Sequence, residues 1–150
     1  MTRPLEIFVS YAQEDRRRAA SLLLAMKPHL PTLSPDRAAI SSDLDMALGE
    51  NWADALDKAI RRSDVFVILL SPSYLESSTA QYELGFILSE QRDRGGLVLP
   101  VVLKKTWLGM MARFQTIDAC GKPADWVAAR IADAVRRQGT DDTTAIVAHA

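Results

Sequence analysis

Apolar and polar positions change their period several times along this chain. Leu5 to Ser10 (LEIFVS) is a short β-rich run; after the polar stretch Tyr11 to Asp15, the apolar residues Ala19, Leu22, Leu23, Met26 and Leu30 recur at three- and four-residue spacing. The first run predicts a strand and the second an amphipathic helix. The prolines between Pro28 and Pro35 end that helix, since each removes a donor and fixes its own φ. Arg37 to Ser42 reads as a short second strand leading into a polar loop, Asp43 to Glu50. Asn51 reads as the N-cap of a second helix with Asp54 three positions on; its buried stripe is Trp52, Leu56 and Ile60, beside Ala55 and Ala59. Arg61 and Arg62 fall in its last turn, where cations suit the dipole.

Val65 to Leu70 (VFVILL) is apolar without alternation and is bounded by Asp64 and Ser71-Pro72. Such a run predicts a central strand covered on both faces, and hence a parallel sheet. Ser78 with Gln81 has the spacing of a capping box and opens a helix to about Arg92, which Gly95-Gly96 ends. Leu97 to Leu103 is another apolar strand, and Pro100 within it points to a bulge or a place near the sheet edge. A short strand is expected at Thr116 to Asp118. Pro123 or Ala124 then opens a last helix carrying Trp126, Val127, Ile131 and Val135. Residues 1–138 form the expected domain, with 139–150 a flexible tail or the start of a linker.

Strands alternating with helices in this way predict a flavodoxin-like, three-layer αβα domain with a parallel five-stranded sheet of order 2-1-3-4-5. Ligands of such folds bind beyond the carboxyl ends of the strands, where the winding reverses. That places Ser10 and Tyr11 after the first strand, and Ser71 and Pro72 after the third, at the expected site.

Composition narrows the function. Lys plus Arg is 18 and Asp plus Glu is 19, for a formal charge of −1, so the field that would draw nucleic acid or an acidic membrane surface is missing. Neither is expected as a direct partner. The single cysteine, Cys120, forms no intramolecular disulfide, and with His29 and His149 it gives no zinc-like spacing. Apolar runs of about six residues fall far short of the ~20 that cross a bilayer, and a cytoplasmic setting is expected. No metal is assigned to the acids of the 43–50 loop. The chain carries neither G-x-G-x-x-G nor G-x-x-x-x-G-K-[ST], which excludes those two modes of holding a nucleotide. A phosphorylation receiver domain shares the expected fold, but Ser71 and Ser10-Tyr11 stand where it needs acids.

Glu83 is the candidate catalytic group. On an ideal helix it lies roughly 85° from the centre of a stripe formed by Ala80, Leu84, Ile87 and Leu88, at the boundary between buried and wet faces. A carboxylate half out of water beside a cleft is a candidate for a raised pKa; the plainer reading is a surface glutamate favoured by the helix dipole.

Taken together, these stretches resemble the Toll/interleukin receptor (TIR) domain family from Leu5 to about Arg137. Ile7-Phe8-Val9-Ser10-Tyr11 is similar to its first motif, and Asp43-Leu44 with Leu48-Gly49-Glu50-Asn51-Trp52 to its second-strand loop. Ser71-Pro72-Ser73-Tyr74-Leu75 is similar to its third-strand motif, and Tyr82-Glu83-Leu84 to the helix that carries its glutamate. Leu99-Pro100-Val101 and Asp118 to Trp126 (DACGKPADW) further resemble bacterial members. Two departures stand out: Thr79 replaces an aromatic common four residues before the glutamate, and Ala12 and Gln13 replace basic residues common after the first motif.

The resemblance implies one of two activities. One is cleavage of the nicotinamide–ribose bond of NAD+ as substrate, with no resident cofactor, by an enzyme that self-associates, in filaments for some members, and serves bacterial immune defence. The other is a non-catalytic TIR–TIR interaction module. Under the first, Glu83 is catalytic and Ser10, Tyr11, Asp43, Leu44, Gly49, Trp52, Ser71, Thr79 and Tyr82 are the substrate-binding set. The loop 43–50 is then expected to contact a neighbouring copy.

Overall fold

The structure is a computed structural model that describes residues 5–29, 52–139 and 146–149. Strand β1 (Leu5–Ser10) is followed by a 3-10 turn and helix α1 (Arg16–Met26); α2 (Trp52–Arg62) leads into β2 (Val65–Leu70). A short α3 (Pro72–Glu76) and the long α4 (Ser78–Arg94) precede β3 (Leu97–Val102), β4 (Ile117–Asp118), α5 (Ala124–Gly139) and β5 (Ile146–His149).

The strands form one parallel sheet of order β4-β3-β2-β1-β5. Strand β2 is central, as its unbroken apolar run requires, and every one of its residues is buried. Successive side chains go to opposite faces. Val65, Val67 and Leu69 join Ile7, Val9, Leu99 and Val101 in a core closed by α1 and α5. Phe66, Ile68 and Leu70 join Phe8, Val98 and Val102 in a second core closed by α2, α3 and α4. Each such side chain contributes roughly 1.5–3 kcal/mol by leaving water, so the two cores fix the sheet between its helix layers. The result is the three-layer αβα architecture expected from the pattern.

By residue number, the succession 5–10, 65–70, 97–102 and 117–118 is the 1-3-4-5 part of the expected strand order. The strand expected at 37–42 lies outside the described residues. The edge beside β1 is taken by Ile146–His149, inside the stretch read from sequence as a tail, which pairs from Leu5↔Ile146 to Phe8↔His149. Pro100 pairs opposite Ile68 of β2, while β4 reaches only Val101 and Val102 of β3. At Pro100 the strand therefore has a free flank, where a missing donor costs little.

Two local expectations change, and one boundary gains a further role. Ser77, not Ser78, caps α4, its hydroxyl accepting from the Ala80 N–H at 3.1 Å. Ser71-Pro72, read from sequence as the boundary of the strand, also starts α3: Ser71 is its N-cap and Pro72 fills the first turn, where its absent N–H is no loss. Trp126 leaves the core stripe of α5; it is 36% exposed, and its ring lies under Lys122 and Arg130.

Candidate active site

Strands β1 and β2 run side by side in parallel and end at Ser10 and Leu70. Ser10 follows Phe8 by the two-residue strand period and so faces the α2–α4 layer, where α3 and the first turns of α4 close over it. Its hydroxyl donates to Glu83 Oε1 at 2.9 Å and lies 2.8 Å from Tyr74 Oη. A serine has one proton to give. With that proton on Glu83, Tyr74 is the donor to Ser10, and the three groups form a one-way chain from tyrosine to serine to carboxylate. A carbonyl at 3.4 Å, Ala80 O, is a longer second acceptor for the tyrosine.

All three residues are buried: Glu83 is 2% exposed, and Ser10 and Tyr74 are 0%. Glu83 is therefore not the boundary residue that an ideal stripe centred on Leu84 places it as. The buried line of α4 is Ala80, Glu83 and Ile87, with Leu84 and Leu88 half-buried. Turned this way, the helix brings the Glu83 carboxylate to the buried Ser10 hydroxyl. A buried polar atom left without such a partner costs ~1–3 kcal/mol. Burial pushes the Tyr74 phenol above its ordinary range; the hydrogen bond to Ser10 draws it down, and the Glu83 charge raises it further.

A second buried set adjoins the first. The Ser71 hydroxyl donates to Asp15 Oδ2 at 2.5 Å and accepts from the Tyr74 N–H at 3.1 Å. Asp15, 7% exposed, precedes α1. Tyr74 thus joins both sets, its backbone held to Ser71 and its phenol to Ser10, while Gln81 Nε2 donates to its carbonyl at 2.9 Å. The carboxyl ends of β1 and β2 are tied together through one residue, Tyr74, by its phenol at one and its backbone N–H at the other.

Ser10, Ser71 and Glu83, all singled out from sequence, gather here. Tyr11 does not: the strand alternation that turns Ser10 toward α4 turns Tyr11 to the α1/α5 core, against which it packs half-buried. Thr79 and Tyr82 are exposed on α4; the Tyr82 ring meets Phe86 edge-on at 5.1 Å. Trp52 is the first residue of α2. Asp43, Leu44 and Gly49, with the rest of the 43–50 loop, lie outside the described residues. Tyr74 and Asp15 went without a role in the sequence reading. The signal for the first was Ser71-Pro72, a cap followed by a first-turn proline that sets Tyr74 on the third helical position. For the second it was an aspartate directly before a helical period.

A parallel sheet with helix layers on both faces is a doubly wound α/β domain, and the buried Glu83, held by a serine from the end of the first strand, is its candidate site on the α4 face. Residues 7–135 match the TIR domain family, and the chain belongs to it. The fold is similar to the TIR domain of the Toll-related receptor TRR-2 from Hydra magnipapillata, at 20% identity and a TM-score of 0.61 over 87% of this chain and 97% of that one. It is also similar to the TIR domains of the activated Roq1 resistosome, which directly recognises the pathogen effector XopQ; identity is 20% and the TM-score 0.52, over 91% of this chain and 75% of that one. The CMP N-glycosidase BcmB of Clostridium botulinum is 14% identical with a TM-score of 0.50, over 84% of this chain and 96% of that one. At these identities the likeness is one of fold. No curated protein matches the chain. Among the described residues, no helix is long and apolar enough to cross a membrane.

Proposed function

We propose that this TIR domain cleaves the nicotinamide–ribose bond of NAD+, with Glu83 as the catalytic carboxylate. The observation that carries this reading is the position of Glu83: a buried acid, oriented by Ser10, at the carboxyl ends of β1 and β2. NAD+ is the substrate, and no resident cofactor is required. Ser10 and Ser71 at the strand ends, Thr79 and Tyr82 on α4, and Asp43, Leu44, Gly49 and Trp52 from the preceding loop and helix are the proposed substrate contacts. Tyr11, facing the opposite layer, contributes to the set only through its backbone.

One carboxylate suffices for this reaction. The C1′–N bond breaks with its electron pair passing to the pyridinium nitrogen, so nicotinamide leaves neutral and needs no proton. Glycosidases keep a second carboxyl for that purpose. The negative charge of Glu83 stabilises the oxocarbenium-like sugar, most strongly where water is excluded. Capture by water, with a proton lost to solvent, gives ADP-ribose; capture by an adenine ring nitrogen gives a cyclic product. That a CMP N-glycosidase shares the fold supports breaking an N-glycosidic bond on this scaffold.

A carboxylate only 2% exposed is closed to a dinucleotide. Catalysis therefore requires α3 or α4 to move, and self-association, in filaments or smaller assemblies, is the proposed source of that energy. The same domain would act in the cytoplasm as the effector part of a bacterial immune protein. The test is nicotinamide release from NAD+ by concentrated or crowded protein, with Glu83→Ala and Glu83→Gln alongside. Release by the wild type alone supports the enzyme. No release under assembling conditions, or equal release by the variants, defeats it.

The burial of Glu83 favours a second reading, in which Ser10 and Tyr74 satisfy the carboxylate as part of the core and the domain is an interaction module without catalysis. Dimerisation or filament formation in the absence of any NAD+ turnover is its expected signature.

A further inference from the structure

On the sheet face opposite Glu83, the carboxyl end of β3 and the start of α5 border a cavity of about 300 Å³ lined by Arg18, Ser21 and Leu22 of α1, Leu103, Lys122, and Ala124 and Val127. Its floor is apolar: Leu22, Leu103 and Val127 are each 3% exposed and belong to the α1/α5 core. Its polar groups are two cations and a hydroxyl. This volume is at the lower end of those that hold small molecules.

Arg18 is fixed before any ligand arrives. Its Nη1 donates to Leu103 O at 3.0 Å and its Nη2 to Ala119 O at 2.9 Å. Two of the five guanidinium N–H groups are engaged in this way, and both acceptors are neutral carbonyls. Among the described residues neither Arg18 nor Lys122 belongs to an ion pair. Lys122 Nζ is 5.0 Å above the Trp126 ring, which steadies it beside the cavity mouth. The acids nearest in sequence are Asp125, on the first turn of α5, and Asp118, whose carboxylate accepts from the Cys120 N–H at 3.0 Å. Lys104 and Lys105 follow Leu103 directly, both exposed. The cavity lining thus carries two cations and no acid over an apolar base, with Asp118 close enough to feel the Lys122 charge.

We propose that this cavity is a binding site, separate from the Glu83 site, for a small phosphate monoester with a compact apolar body. The phosphate sits between the Arg18 guanidinium and the Lys122 ammonium, within reach of the Ser21 hydroxyl, and the body covers Leu22, Leu103 and Val127. An arginine already ordered by two carbonyls loses little further freedom on binding, and a planar guanidinium beside an ammonium is a pairing that suits phosphate oxygens. The apolar floor separates this ligand class from bare inorganic anions.

Phenyl phosphate is the probe, titrated into the 15N-labelled full chain. The expected result is saturable shifts of the Ser21, Leu103, Lys122 and Ala124 amides with millimolar or tighter affinity, weakened about fivefold in Lys122→Gln, as for loss of one exposed charge contact. Ser21→Trp, which fills the mouth from an exposed helix position, abolishes the shifts while its unliganded melting temperature stays that of the wild type. Arg18 is left unchanged because it ties two loops of the fold. Inorganic phosphate and phenol are run as separate arms and are expected to bind more weakly than the joined molecule. Shifts confined to other residues, unaltered affinity in both variants, or inorganic phosphate binding as tightly as phenyl phosphate would each overturn the proposal.

Discussion

The hydroxyl of Ser10, the last residue of the first strand, donates to the carboxylate of Glu83 across 73 positions of sequence, at 2.9 Å and out of contact with water. This bond joins the sheet to α4 at the point where the site is proposed. Removing it with Ser10→Ala leaves Glu83 one donor short and Tyr74 without its nearest acceptor. The expected cost is about 1–3 kcal/mol of folding stability, read as a lower urea midpoint with an unchanged slope. An unchanged midpoint would show that the contact carries no energy.

Glu83→Gln keeps the shape and an oxygen able to accept from Ser10, so its unfolding midpoint should stay close to that of the wild type. The charge is gone, however. If Glu83 stabilises the cationic sugar, nicotinamide release falls about 100- to 1000-fold, the range for removing one electrostatic group from an enclosed site. Ser10→Ala should lower release less than Glu83→Gln while lowering stability more. The opposite ranking would make Glu83 a packing residue.

Alkali tests the buried phenol. Burial raises the Tyr74 pKa above the ordinary 10.0 of an unfolded tyrosine. Below pH 10 both states hold the proton and stability is independent of this group. Above it the unfolded state releases the proton while the folded state keeps it, so stability falls by up to about 1.4 kcal/mol per pH unit from this one residue. Tyr74→Phe removes that dependence. Urea unfolding of the two proteins from pH 8 to 11 should therefore show a stability difference that is constant up to about pH 10 and shifts in favour of the variant above it. A difference that stays constant throughout would mean that Tyr74 titrates alike in both states.

Strands β1 to β4 were legible because short β-rich apolar runs such as VFVILL, bounded by polar residues, suit the middle of a parallel sheet, and their succession followed from the order of runs; β5 was not, because Ile146–His149 is a four-residue run inside a polar stretch. Glu83 was legible as a residue but not in its burial. Hydrophobic periodicity centres a helix face on its leucines and gives no weight to a carboxylate whose partner comes from a distant strand. Ser10 and Tyr11 show the same gap from the other side: adjacency in sequence suggests one site, yet the two-residue period of a strand turns them to opposite layers. Tyr74 was hidden because α3 is a single capped turn, too short to leave a periodic trace.

Activity should depend on protein concentration more steeply than a monomeric enzyme allows. If neighbours supply the opening that the covered Glu83 needs, only the fraction of molecules they hold open would turn over NAD+, and mass action would set that fraction. Specific nicotinamide release should rise with concentration and then level off once assembly is complete. A charge reversal at Asp45, in the acidic loop expected to contact a neighbouring copy, should move this rise to higher concentration and leave the plateau unchanged, since Asp45 is not among the proposed substrate contacts. Light scattering on the same samples should show assembly shifting in step. A specific activity independent of concentration, or a plateau lowered with no shift, would show that the site opens without a partner.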